Sequence, residues 1–365
     1  MIGTIKIDNY VNVLVEQGVI PGMSLLVAKG NDIIIDEVYG YKSIYPDKIE
    51  LKKDSIYDLA SLTKPLITSL LTLKTIENGE LSFETKVSDI IFDFPHKITI
   101  KHLLIHTSGL PSWYPFYLFE DDLMQQYKDL DLNSKPGKKI NYSCVGYILL
   151  SKILEKIYGI SFKEIVDTII IRKLELKNTF IGNVPDNKKR LCVPTELGNK
   201  FEKEMAENDP KFKKISESFN WREHLLIGEI NDANSFYLDG NAGNAGLFSN
   251  TKDILKLSNE FYPNTATLLN AKSIEFFWKN LTPFRKSHRT MGFKLNSSFI
   301  TSGGRGISRK AIGHNGFTGT SIWLEPKTEL KFIILTNRIH PEVKPLPFNK
   351  IRRKIHRLIK KDINK

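Results

Sequence analysis

Apolar residues change their spacing twice along the 365-residue chain, dividing it into strand-forming ends and a helix-forming middle. Positions near 6 to 18 recur at helical spacing until Pro21-Gly22 interrupts them. Residues 23–29 and 33–39 then have strand composition, and Gly30-Asn31-Asp32 between them has the chemistry of a tight hairpin turn. The far end mirrors this arrangement. Residues 320–324 and 331–336 flank Glu325-Pro326-Lys327, and a basic segment follows in which Ile351, Ile355, Leu358 and Ile359 keep helical spacing. Residues 60–290 read instead as helices and long loops. Strands and helices segregated in this way indicate an α+β architecture, with one antiparallel sheet built from both chain ends, flanked by terminal helices. A mostly helical subdomain is then inserted between the ends. The expected division of this single domain is a sheet subdomain at about 1–58 and 290–365 and a helical subdomain at about 59–289. No internal repeat or low-complexity linker interrupts it.

Composition narrows the class. With 41% hydrophobic and 26% charged residues, the chain is neither disordered nor fibrous. A net charge of +12 raises the prospect of an anionic partner, but basic residues are scattered except within 350–361. The apolar stripe in that segment favours a terminal helix packed on a sheet over a membrane-surface or nucleic-acid patch. No nucleic-acid partner is expected, and membrane-surface contact is disfavoured. No run of eighteen apolar residues exists, and the first residues lack a basic segment followed by an apolar stretch, so the expected location is cytoplasmic. Cys144 and Cys192 are too few for a disulfide framework and lack the spaced partners of a zinc site.

Three segments carry candidate chemistry. In Ser61-Leu-Thr-Lys64 a hydroxyl and an amine stand three residues apart, so on a helix they share a face. A lysine whose pKa is lowered by burial or by nearby cations can take the serine proton and make a nucleophile. Only Ser61 and Ser249 have lysine at the third following position, and Ser249 or Thr251 reads as the N-cap of the next helix. Spacing alone leaves Ser61 open to the same reading. Tyr142 precedes the apolar run 145–150, where it is either packing or a proton carrier beside a lysine. The third segment, Gly313-His-Asn-Gly-Phe-Thr-Gly319, precedes a strand and offers a backbone N–H to a developing oxyanion, with His314 as a substrate-orienting group or a turn residue. The glycine-rich 240–246 lacks a preceding strand and a P-loop lysine, which excludes nucleotide binding there.

Together these segments resemble the serine β-lactamase and penicillin-binding-protein superfamily. The resemblance covers nearly the whole chain, on the class C β-lactamase-like branch that also contains D-alanyl carboxypeptidases and esterases. The most specific match is Thr99-Ile-Lys-His-Leu-Leu-Ile-His-Thr-Ser-Gly-Leu-Pro111, a structural fingerprint in which His102 and His106 are scaffold. The resemblance implies a β-lactamase/transpeptidase-like fold, Ser61 as nucleophile, Lys64 as general base and Tyr142 as proton shuttle. Tyr142-Ser-Cys144 falls where the family has Tyr-x-Asn, 243–249 resembles the family's glycine-rich segment, and His314-Asn315-Gly316 occupies the place of Lys-Thr-Gly. The N–H groups of Phe317 and Ser61 would then form the oxyanion hole. No metal or organic cofactor is implied.

Two departures bear on substrate. Cys144 replaces an asparagine whose amide would bond both Lys64 and an acyl-amide carbonyl, and a thiol is a weak partner. His314 and Asn315 replace a cation and a hydroxyl that help hold a substrate carboxylate. The reading favours a serine hydrolase with an esterase-like preference, acting through an acyl-enzyme on a small ester, amide or peptide. The alternatives are a D-alanyl carboxypeptidase or D-amino-acid peptidase, a β-lactamase or, in another class, a catalytically silent binding or scaffold protein.

Overall fold

A computed structural model describes residues 5–298 and 300–363. Its main sheet has seven strands: β1 (Gly22–Lys29), β2 (Asp32–Ser43), β3 (Ile49–Glu50), β7 (Lys294–Leu295), β8 (Ile312–Asn315), β9 (Ser321–Leu324) and β10 (Leu330–Thr336). Their order is β3-β2-β1-β10-β9-β8-β7, all antiparallel, so the two chain ends meet where β1 pairs with β10. Leu25 faces Ile334 across that seam, and Leu26 faces Ile333.

Period-two alternation gives each face its own core. Met23, Leu25, Val27, Phe332 and Ile334 pack on one side against α1 (Ile5–Glu16) and the C-terminal helix Phe348–Ile363 through Ile7, Val11, Ile355 and Ile359. Leu26, Ile333, Leu335 and Ile322 face the other way, against Leu66, Leu70 and Leu149 of the helical region. Each such fully buried side chain contributes about 1.5–3 kcal/mol of transfer free energy, which fixes the register and the placement of both layers.

The terminal basic segment is therefore a sheet-packing helix, with one correction to its expected solvated face. Arg352 and His356 turn inward and are buried. The Arg352 guanidinium donates to the carbonyls of Gly319 (2.7 Å) and Thr320 (3.0 Å), bracing the turn between β8 and β9.

The middle of the chain is not wholly helical. A second sheet has the order β4-β6-β5, formed by β4 (Tyr57–Asp58), β5 (Phe180–Ile181) and β6 (Leu247–Ser249). Ser249 lies in β6, and Asn250 caps the following helix Thr251–Ser258 by accepting the Asp253 N–H at 2.9 Å. Asparagine is as good an N-cap as serine, and here it is the residue whose extended backbone places an oxygen over the helix end. The expected cap at Ser249 or Thr251 is thus shifted onto the residue between them. Among the described residues no helix is long and apolar enough to cross a membrane.

Candidate active site

Ser61 stands in a sharp turn between β4 and the buried helical segment. Ala60 holds φ at +47°, a left-handed conformation that costs an alanine on the order of 1 kcal/mol and persists only where its surroundings dictate it. They do so densely. The Ala60 N–H donates to the Asp58 carboxylate (2.7 Å), the Thr63 hydroxyl to the Ala60 carbonyl (2.7 Å), and Thr318 and Thr320 reach across from the β8–β9 turn to the carbonyls of Asp58 (2.7 Å) and Leu59 (3.1 Å). Ser61 is consequently not the cap of a helix. After it, Lys64–Ser69 winds as a π-helix before the α-helix Leu70–Glu77, in place of the single α-helix that the apolar spacing suggests. Pro65 lacks an N–H to donate in this first turn, and such widened turns recur at functional sites.

Lys64 is fully buried. Its Nζ donates to Ser61 Oγ at 2.9 Å and to the Asn244 carbonyl at 2.9 Å, and lies 3.4 Å from Cys144 Sγ. The Tyr142 side chain lies beside both Ser61 and Lys64, with the Lys64 nitrogen 5.1 Å from its ring centre, and burial, which raises the pKa of its hydroxyl, is opposed by Lys64 and Ser61. Burial alone pulls the lysine's affinity for protons down. Cys144 and Tyr142 when they lose their protons, and the Asp232 carboxylate, pull it up. The net displacement is upward, the reverse of the lowering that the sequence reading expects of a serine-activating lysine. Burial also raises Tyr142 and Cys144 above their ordinary values, so the cluster holds its protons tightly and shares them.

Tyr142 is presented by the residues around the helix Cys144–Tyr158, whose N-cap Ser143 accepts the Gly146 N–H at 2.9 Å. The Ser143 N–H donates to His106 Nδ1 (3.1 Å), and the His106 ring lies 4.6 Å from that of Tyr142. Burial keeps His106 well below its ordinary pKa, so it is a neutral wall behind the tyrosine. His102 accepts the Thr99 N–H (3.2 Å) in a helix cap, away from the nucleophile.

His314 and Asn315 lie within β8 itself, not in a loop ahead of a strand. The His314 ring centre is 5.8 Å from that of Tyr142, and its Nδ1–H donates to the Asn315 carbonyl (3.0 Å). Burial and the charges of Lys64 and Arg289 hold His314 well below its ordinary pKa, so at neutral pH it supplies no cation. The Asn315 Oδ1 accepts from Ser302 (2.8 Å). Gly316 is required by contact, because a Cβ there would meet the Leu59 carbonyl oxygen at 2.5 Å and Thr320 Oγ1 at 2.0 Å. The Gly316 N–H donates to the Thr320 carbonyl (2.8 Å), closing the turn and leaving the Phe317 ring beside Ser61.

Two cavities meet at Ser61, Tyr142 and Phe317. One, of about 380 Å³, is lined by Arg289, Lys294, His314, Asn315 and Arg352. The other, of about 220 Å³, is lined by Cys144, Trp113, Phe201, Glu196, Glu202 and Asp232. Most of these flanking groups lie outside the sequence motifs. Arg289 sits in a loop before β7 with no local signature, although its guanidinium lies 5.6 Å from the Tyr142 ring centre and its Nε is buried without a partner. The 240–246 segment did carry a signal: its Asn244 carbonyl anchors Lys64, and its Gly243 carbonyl accepts from Thr68 (2.6 Å). Among the described residues no cluster of histidine, cysteine and acidic side chains is placed to hold a metal.

This fold has relatives. The chain belongs to the Beta-lactamase family, whose model matches residues 7–352. It is 28% identical over 374 residues to an N-acetylmuramyl-L-alanine amidase of Bacillus subtilis (strain 168), covering 93% of this chain and 81% of the relative. A putative D-alanyl-D-alanine carboxypeptidase of Salmonella agona (strain SL483) is 27% identical over 383 residues, covering 94% and 85%. Among solved structures, EstCE1, a hydrolase with promiscuous acyltransferase activity, superposes with a TM-score of 0.73 at 17% identity, covering 99% of this chain and 98% of its own. The chain is a hydrolase of the β-lactamase fold.

Proposed function

We propose that the protein is a serine acyl hydrolase in which Ser61 is the nucleophile and Lys64 and Tyr142 move the protons. The observation that carries this reading is the fully buried Lys64 amine 2.9 Å from Ser61 Oγ, with the Tyr142 ring centre 5.1 Å from that amine. When the pair has lost one proton, it takes the Ser61 proton as Oγ attacks the carbonyl of an ester or amide. The N–H groups of Ser61 and Phe317 receive the oxyanion. The leaving group takes a proton from the pair, and water then attacks the acyl-enzyme by the reverse route. An esterase preference is supported by the thiol of Cys144, which stands where an amide would bind an acyl-amide carbonyl. Ser61→Ala should abolish the burst of p-nitrophenol from p-nitrophenyl acetate. Unchanged turnover in that variant would overturn the assignment.

A second reading has its own support. Arg289 and Lys294 line the same cavity as the neutral His314, so the cation absent from β8 is supplied by neighbouring positions. A buried guanidinium with an unpartnered Nε suits a substrate carboxylate. That favours carboxypeptidase-type hydrolysis of a peptide, the activity named for the Salmonella relative. D-alanyl dipeptides tested beside simple esters separate the two readings.

A further inference from the structure

The smaller cavity beside Ser61 has the opposite character, and the acyl-hydrolase reading does not explain it. Glu196, Glu202 and Asp232 border a space of about 220 Å³ whose remaining wall includes the rings of Trp113 and Phe201. Each carboxylate is held in place by neutral donors. Glu202 accepts from Trp113 Nε1 (3.0 Å) and the Ala233 N–H (2.9 Å). Asp232 accepts from the Ser235 N–H (2.8 Å) and the Asn244 amide (3.0 Å). Glu196, only 2% exposed, accepts from the Asn231 amide through Oε1 (2.9 Å), its Oε2 makes no close hydrogen bond, and the Phe201 backbone N–H adds to the carboxylate's stabilisation. Arg222, the cation Glu196 feels, spends its N–H groups on Asn199 and on the carbonyls of Ile230 and Asn231, and its ion pair is with Glu229 at 3.8 Å. Among the described residues none of the three carboxylates has an ion-pair partner within 4.0 Å.

Three carboxylates with no ion pair within 4.0 Å, offset only at longer range by Arg222 and, for Asp232, by Lys64, are costly to keep together at one cavity wall. Burial accordingly pushes Glu196 up to about 7, and burial together with Asp232 raises Glu202. A cation entering the cavity would favour the charged forms of Glu196 and Glu202 beside two aromatic residues. Trp113, Phe201 and Met205 also line a neighbouring surface cleft that includes Glu204. Cys144 lines this cavity and not the cationic one, which puts it on the side that the family resemblance assigns to the acyl group.

We propose that this cavity receives a positively charged acyl arm of the substrate, a primary ammonium or guanidinium at the end of an alkyl chain, held by Glu196, Glu202 and Asp232. The inference rests on the acyl-hydrolase reading, and the test keeps the two apart. Three p-nitrophenyl esters of matched length are compared: 6-guanidinohexanoate, nonanoate and the monoester of octanedioate. The cationic ester should exceed the neutral one in kcat/KM by about tenfold or more, with the anionic ester slowest. In Glu196→Gln and Glu202→Gln the cationic-to-neutral ratio should fall several-fold, with circular dichroism to verify folding. Equal or reversed preference in the unmodified protein overturns the inference while leaving Ser61 chemistry standing. Hexylguanidinium, which has no carbonyl, is titrated calorimetrically against hexanol in the same protein. Binding of the cation alone supports the cavity assignment even if no ester is turned over, a result that would sink only the hydrolase reading; no binding and no preference sinks the cavity assignment.

Discussion

The two cavities flanking Ser61 are built from opposite charges. Toward β7 and β8 the cleft carries Arg289, Lys294 and Arg352; toward Trp113 it carries Glu196, Glu202 and Asp232. Between them the proton-handling centre is nearly closed to choice, since Lys64 has three partners and Tyr142 is backed by His106. The flanks meet their burial cost only in part. Arg352 places its terminal nitrogens on Asn349 and on carbonyls of the β8–β9 turn, yet its Nε, like Arg289 Nε and Glu196 Oε2, is buried without a close hydrogen-bond partner. Unsatisfied buried groups at a cleft wall are where a ligand gains most, because its arrival removes a standing penalty. On the proposed reading the centre carries the chemistry, and the flanks select which molecule is presented to it.

The strongest way to break this division is at the centre. Lys64→Ala should lower kcat/KM by about 10²–10⁴-fold, the contribution of a positioned proton-transfer group, for charged and neutral esters alike. A loss confined to one charge class would place Lys64 among the recognition groups instead. The same centre sets the pH dependence. Lys64 and Tyr142 are both displaced upward, so at neutral pH the form lacking one proton is the minority and grows as pH rises. The rate on a neutral ester should keep climbing from neutral into alkaline solution. His106 and His314 are held well below the ordinary histidine range and should add no step near 6.5. A profile that levels off near that pH would show that the base is a group other than the Lys64–Tyr142 pair, a histidine or a raised carboxyl such as Glu196.

A smaller effect tests the cationic flank. Arg289→Ala removes a charged donor from one cavity, and the ratio of kcat/KM for a carboxylate-bearing substrate to that for a neutral ester should fall by about tenfold or more. The substitution leaves the carboxylate cavity as it is, so the preference for a cationic acyl arm should survive it. Loss of both preferences together would mean that the two flanks are not independent.

What the sequence made legible follows the same line between centre and flanks. The terminal strands and helices were readable because their faces alternate or recur with a single period, as in Leu25 and Leu26 or Ile351, Ile355 and Ile359. Ser61, Lys64 and Tyr142 were readable through local motifs, and the fold brings them together because each motif sits at an element boundary. Arg289, Glu196 and Glu202 were not. Each lies in a segment with no distinctive spacing and reaches the cleft only through tertiary packing, so composition and periodicity say nothing of them. The π-helical turn after Ser61 and the cap at Asn250 were misread for a related reason. In both places apolar spacing is the same for the competing local geometries, and hydrogen bonds to distant or neighbouring groups decide between them.

The finest distinction lies at Cys144, which touches the centre and lines the carboxylate cavity. Its thiol is 3.4 Å from the Lys64 nitrogen, a weak contact, and burial holds it protonated at neutral pH. Cys144→Asn would replace a weak partner by an amide able to donate to an acyl carbonyl and accept from Lys64 at once. A neutral hydrogen bond of this kind is worth about 0.5–1.5 kcal/mol. An amide substrate with a carbonyl in its acyl portion should therefore gain a few-fold to about tenfold in kcat/KM relative to p-nitrophenyl acetate, which has no such group. Paired rates on the two substrates in the native and Cys144→Asn proteins measure the shift directly. If the ratio does not move, Cys144 is not what limits amide recognition, and the preference between ester and amide must be sought in the charged flanks instead.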